Sequence, residues 1–219
     1  MEATKTASMG YVFLTAPEVR FLEAAIERLI PADELGAGAK EAGVAYYIDR
    51  QLGGAWGVHG RSYRAGPWYE GSPQQGFQSR LTPQEIYRTA IREIDERCRT
   101  KFGRQFDQLP PETQDEILSA MERGEFDLPS LSSRLFFELL WRNTEEGFFS
   151  DPLYGGNHDK AGWKLLGFPG VPSGAYREHV GRSERYRVEP VSILDIATKR
   201  AKTDAQGMAV HVQLKREED

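Results

Sequence analysis

The chain has 219 residues, 39% of them apolar, 28% charged and 11% aromatic, with a formal net charge of −5 and a pI near 5.5. This is the composition of a folded domain with one core, and it excludes an intrinsically disordered polymer. The acidic balance leaves no basic footprint for nucleic acid, and no apolar run approaches the ~18–20 residues needed to span a bilayer.

The N-terminal MEATKTASMG has no charged segment followed by an apolar one, so no export signal is expected in this chain, and residues 1–12 are read as a flexible N-terminus. A first helix is expected from Thr15-Ala16-Pro17-Glu18, a capping box with Thr at the N-cap and Glu three residues on. Phe21, Leu22, Ala25, Ile26 and Leu29 follow at helical spacing, and Pro31 ends the run. A shorter helix is expected from Gly43 to Leu52, stopped by Gly53-Gly54. Between residues 53 and 80 the periodicity vanishes. Glycine, proline and rings take its place, so this is read as a long, ordered loop carrying Trp56, Tyr63, Arg64, Trp68 and Tyr69.

A second capping box, Thr82-Pro83-Gln84-Glu85, opens a long helix whose inner face is Ile86, Tyr87, Ala90, Ile91, Ile94, Cys98 and Phe102; Gly103 closes it. Cys98 is expected to be a buried thiol, with an intermolecular disulfide as the alternative, and one cysteine can build neither an internal disulfide nor a cysteine metal site. Leu109-Pro110-Pro111-Glu112 leads into a helix through Ile117, Leu118 and Met121, ended by Gly124. Ser130 to Phe148 is the most apolar helix, with Leu131, Leu135, Phe136, Leu139, Leu140 and Phe148. No period-two strand precedes residue 180. The expected fold is all-α: an irregular helical domain over residues 13–182 with long Gly/Pro/aromatic loops, then an extended, charged C-terminal tail over 183–219 with at most one short hairpin.

The chemistry is sparse. His59, His158, His179 and His211 have no second His or Cys at a metal-ligand spacing. There is no G-x-S-x-G elbow, no G-x-G-x-x-G after a strand and no C-x-x-C-H. No catalytic, cofactor-binding or metal-binding residue is therefore assigned. A free-standing hydrolase using Asp151 and His158 is a third reading, behind recognition and ligand binding, and Glu145-Glu146 read as a solvated helix face. The stretch Asp151 to Gly170, DPLYGGNHDKAGWKLLGFPG, holds five glycines and two prolines among Tyr154, Asn157, His158, Trp163 and Phe168. Aromatic loops without catalytic groups suggest recognition. The candidate partner-interface residues are Trp56, Trp68, Tyr69, Asp151, Tyr154, Asn157, His158, Trp163, Phe168 and Tyr176. Sealing of the domain's own core by these rings is the alternative for each.

The start FLTAPEVRFLEAAIERLIPAD (residues 13–33), the stretch FFSDPLYGGNHDKAGWKLLGFPG (148–170) and GVPSGAYREHV (170–180) resemble the gluconate 2-dehydrogenase subunit 3 family, from about Phe13 to about Val191. The resemblance implies a small, cofactor-free subunit of a membrane-associated sugar or sugar-acid dehydrogenase. It implies a glucose–methanol–choline type flavoprotein partner carrying FAD, and a multihaem cytochrome c subunit that holds haem c and anchors the complex. It implies a role in folding, export and stability of the flavoprotein on the periplasmic side of the inner membrane. The family's frequent twin-arginine export signal is not seen in this N-terminus; a mature form from which it has been removed accounts for that, and a cytoplasmic location is the alternative. A stand-alone carbohydrate or small-molecule binder is the other functional reading.

Overall fold

The computed structural model describes residues 10–60, 65–69, 71–72, 79–171, 179–183 and 186–211. Tyr63, Arg64 and Tyr176, among the expected recognition residues, lie outside the described residues.

Helix α1 spans Ala16–Leu29. The Glu18 carboxylate accepts from both the backbone N–H and the hydroxyl of Thr15, at 2.7 and 2.8 Å, so the first capping box forms as its spacing predicts. Helix α2 is Val44–Gly53. Helix α3 is Pro83–Phe102, with the Thr82–Glu85 box at its start and Gly103 in the left-handed region at its end. Helix α4 is Pro111–Glu122 and α5 is Ser133–Phe149. Two short helices were not foreseen: α6, Ala161–Leu166, within the glycine-rich stretch, and α7, Ile193–Ala197, within the tail. The tail is thus not wholly extended. It also holds a tight turn closed by an isolated Thr203–Ala209 bridge. Among the described residues there is no sheet, only isolated bridges, and the domain is all-α as expected.

α5 is the hub. It packs against α1, α2, α3, α4 and α6. Its inner face carries Phe136, Leu140 and Phe148, all essentially inaccessible. The Phe21 ring lies 4.8 Å from Phe106 and 6.4 Å from Phe136, and Tyr87 meets Phe136 edge-on at 5.5 Å. Each such buried ring contributes about 1.5–3 kcal/mol by leaving water. The Tyr87 hydroxyl would cost stability if left unpaired there; it donates to Asn143 Oδ1 at 2.9 Å. Cys98 is 1% exposed, as its place on the inner face of α3 predicted.

Three buried carboxylates tie loops to this core. Asp49 on α2 accepts from the backbone N–H groups of Val12, Phe13 and Leu14 at 2.7, 2.9 and 2.8 Å, fixing the entry of the chain into α1. Asp95 accepts from Phe106 N–H and Gln105 Nε2. Burial pushes its carboxyl above the usual range, although those two bonds pull the other way. Glu93 accepts from the Ser130 N–H at 3.3 Å ahead of α5.

Candidate functional site

α5 ends at Phe149, and the chain then folds back over α2 and α5 through residues 151–170. The turn begins at Asp151. Its Oδ1 accepts from Leu153 N–H at 2.9 Å, capping the one-turn helix Pro152–Tyr154. Its Oδ2 accepts from Ile193 N–H at 2.7 Å, the first residue of α7. Both oxygens of this buried carboxylate therefore hold backbone.

Asn157 closes the turn. It is fully buried and left-handed at φ 50°. Its Nδ2 donates to Ser150 O at 2.8 Å and its Oδ1 accepts from Gly162 N–H at 2.9 Å, so one amide staples the entry of the loop to its exit. Asparagine is one of the few residues that adopts this backbone readily, and here its side chain also satisfies the groups the turn leaves open. Asp159 and Lys160 are left-handed as well, at φ 53° and 59°. The consequence is directional: the Lys160 ammonium reaches Asp195 Oδ2 on α7 at 2.9 Å. Burial raises the Asp195 carboxyl, but the Lys160 bond and those from Ser192 outweigh it, and the net result is below the usual carboxylate range.

His158 faces the other way, into the domain. Its N–H donates to Ala42 O at 2.8 Å, and its ring lies 5.7 Å from Tyr46, which stacks on Tyr11 at 4.5 Å. The ring fills the space beside Gly43, where a Cβ would fall 2.3 Å from the imidazole. The Nε2 atom is sealed from solvent without a hydrogen-bond partner. Burial lowers the His158 pKa; a backbone hydrogen bond to Gly155 and the Asp159 charge oppose this in part.

Trp163 on α6 is 6% exposed and donates from Nε1 to Phe149 O at 2.8 Å. Phe168 packs edge-on to it at 5.2 Å yet stays 43% exposed. Beyond Phe168, Val191 pairs with the loop: its N–H donates to Pro169 O at 3.0 Å and its carbonyl accepts from Val171 N–H at 2.8 Å. Gly170, at φ 78°, permits this contact, since a Cβ there would fall 2.1 Å from Val191 O.

The expected recognition residues that are described thus separate into three groups. Asp151, Asn157 and Trp163 are buried and bonded to their own backbone, and His158 is wedged beneath the loop. Tyr69, Tyr154 and Phe168 present rings to solvent, with Tyr69 77% exposed. Trp56 is half-buried against the core, and Trp68 is half-buried. Tyr154 borders a shallow depression of about 500 Å³ with Tyr47, Phe149, Gln51 and Glu146. Burial and the Glu146 carboxylate push the Tyr47 phenol up to about 12. Ser192, Ile193 and Asp195 complete the site and were not singled out in the sequence. The signal was present: Ser192-Ile193-Leu194-Asp195 is itself a capping box, and it forms, with Ser192 Oγ accepting from Asp195 N–H at 3.0 Å.

Among the described residues, no helix is long and apolar enough to cross a membrane. A family model described as gluconate 2-dehydrogenase subunit 3 matches residues 16–170. No curated protein and no solved structure matches the chain.

Proposed function

The chain belongs to the gluconate 2-dehydrogenase subunit 3 family, and from that membership we propose that it is the non-catalytic small subunit of an FAD-dependent sugar or sugar-acid dehydrogenase complex. In this reading the chain carries no cofactor of its own. A flavoprotein of the glucose–methanol–choline type holds the FAD and performs the oxidation, and a multihaem cytochrome c takes the electrons. The small subunit supports folding, export and stability of the flavoprotein, and the assembled complex sits on the periplasmic side of the inner membrane.

The observation that carries this reading is the family match over residues 16–170. The geometry of Asp151 supports it against a hydrolase: both carboxylate oxygens accept backbone N–H groups, so neither is aimed at a substrate. The exposed rings of Tyr69, Tyr154 and Phe168 are of the type that anchors protein interfaces. Co-expression with and without a flavoprotein of the glucose–methanol–choline type from the same genome, followed by size-exclusion chromatography, tests it. The chain should co-elute with flavin absorbance, and flavoprotein yield should fall when the chain is omitted. Elution of the chain alone, with undiminished flavoprotein, would overturn the proposal.

The depression lined by Tyr47, Phe149 and Tyr154, with Gln51 and Glu146 at its edge, favours a second reading. Flat rings beside polar groups suit the apolar face and hydroxyls of a sugar. Titration calorimetry of the chain with sugars and sugar acids separates this stand-alone binder from the subunit reading.

A further inference from the structure

The family match ends at residue 170, yet the matched stretch also holds residues beyond it through short, directed polar contacts. Along residues 190–195, Pro190 and Ser192 are buried. Val191 exchanges two backbone hydrogen bonds with Pro169 and Val171, Ile193 N–H is held by Asp151, and Asp195 is held by Lys160. Further along, His211 Nε2 lies 2.8 Å from the Val171 carbonyl.

The receiving groups are set by the loop itself. Asp151 Oδ1 is engaged in capping Pro152–Tyr154, which leaves Oδ2 oriented outward. The amide staple of Asn157 holds the turn that carries Lys160. Gly170 leaves the gap into which the Val191 carbonyl fits. Strand-type backbone pairing supplies affinity, while one carboxylate, one ammonium and one missing side chain supply selectivity. That is the logic of extended-peptide recognition.

We propose that residues 151–171 form a binding site for a peptide of the type Pro-Val-Ser-x-x-Asp that is extended at Val191 and turns into a capped helical turn from Ser192, filled in this chain by its own residues 190–195. The ligand is read at three places: Val191 by backbone pairing at Gly170, the N–H of Ile193 by Asp151, and the carboxylate of Asp195 by Lys160. Tethering through residues 172–185 gives the cis segment an effective concentration in the millimolar range, so a free peptide cannot compete until the connection is cut. This inference does not depend on the flavoprotein reading, and its test needs no partner.

The test starts from the full chain with a protease site inserted in residues 172–185. After cleavage, the released fragment should still co-elute with the helical domain and exchange for a labelled synthetic peptide covering residues 186–211. Lys160→Asp should weaken peptide binding at least tenfold, and a peptide carrying Asp195→Lys should restore it. Gly170→Val should abolish binding. Circular dichroism followed in parallel should show helicity unchanged while the peptide is exchanged. Immediate loss of the fragment on cutting, with helicity retained, would overturn the proposal. Collapse of the helices on displacement would also overturn it, since the segment would then be part of the fold and not a ligand. Binding indifferent to Lys160→Asp and Gly170→Val would do the same.

Discussion

The carboxylate of Asp151 holds the backbone N–H of Ile193 at 2.7 Å across 42 residues of chain, while its other oxygen caps the turn in which it sits. One side chain therefore joins the end of the helical domain to the start of α7. Asp151→Ala removes both bonds and should cost about 3–6 kcal/mol, the range for two hydrogen bonds to a charged acceptor. Asp151→Asn retains an acceptor oxygen and should cost less than half as much. Chemical denaturation gives the totals. Amide exchange should show protection lost first at residues 193–198, with α3 and α5 unchanged; uniform loss across all helices would refute a local role.

Trp163 should behave as a core residue. Trp163→Ala should destabilise the chain by about 3–5 kcal/mol, as for a large buried aromatic. Trp163→Phe keeps most of the ring but leaves the Phe149 carbonyl without its donor, and should cost about 1–3 kcal/mol. Melting curves of the two variants would decide. A marginal change for Trp163→Ala would place its role outside the fold.

The buried imidazole of His158 gives stability a defined pH dependence. Burial holds its folded pKa below the ordinary value of 6.5, so as pH falls the unfolded chain takes up the proton first. Stability should decline from about pH 6.5 downward, until the folded ring also protonates. His158→Gln should flatten this part of the curve. Asp195, held below its ordinary 3.8, contributes stability above that value and loses it only as pH falls through its lower folded pKa, so the two windows are distinct. Thermal melts of both proteins between pH 4.5 and 8 test the assignment; a parallel pair of curves would reject it.

Cys98 should be inert in the native chain. Burial, helped by Asp95 and opposed by Lys101, pushes its thiol up to about 11, so almost no thiolate exists at neutral pH. Alkylation should be slow until denaturant is added and then proceed at the rate of a free thiol. Rapid labelling of the native chain would contradict the burial.

The helices that were legible were those with caps and enough turns to show a period. α1 and α3 announced themselves by Thr-Pro-type starts and apolar residues three and four apart, and Gly103 marked an end. α6 and α7 are six and five residues long, too short for any period to emerge from the residues around them. The stretch 151–170 was legible as unusual, but not the direction in which its side chains point. Asn157 and Trp163 read equally well as contacts for a partner, because a buried amide and a presented one have the same sequence. The roles of Asp49, Glu93 and Asp95 were illegible for a related reason: each acid sits on a helix and serves loop N–H groups elsewhere along the chain. Helical spacing reports which side chains face inward as apolar surface, and says nothing of a carboxylate turned inward to hold backbone.

The span between Asp151 and Ile193 also sets a timetable. At about 5–20 residues per second of synthesis, the 42 residues between them take about 2–8 s to follow Asp151 out of the ribosome. Throughout that interval the helices α1 to α5 have all of their sequence available, as do Asp49 and its partners at residues 12–14. The glycine-rich loop, by contrast, emerges with Asp151 Oδ2, then Lys160 and then the Gly170 gap open, each lacking its partner until residues 191–195 follow. The last surface of this domain to be finished during translation is therefore the one formed by residues 151–171, and it is available to any chaperone or neighbouring chain that arrives before its own tail does.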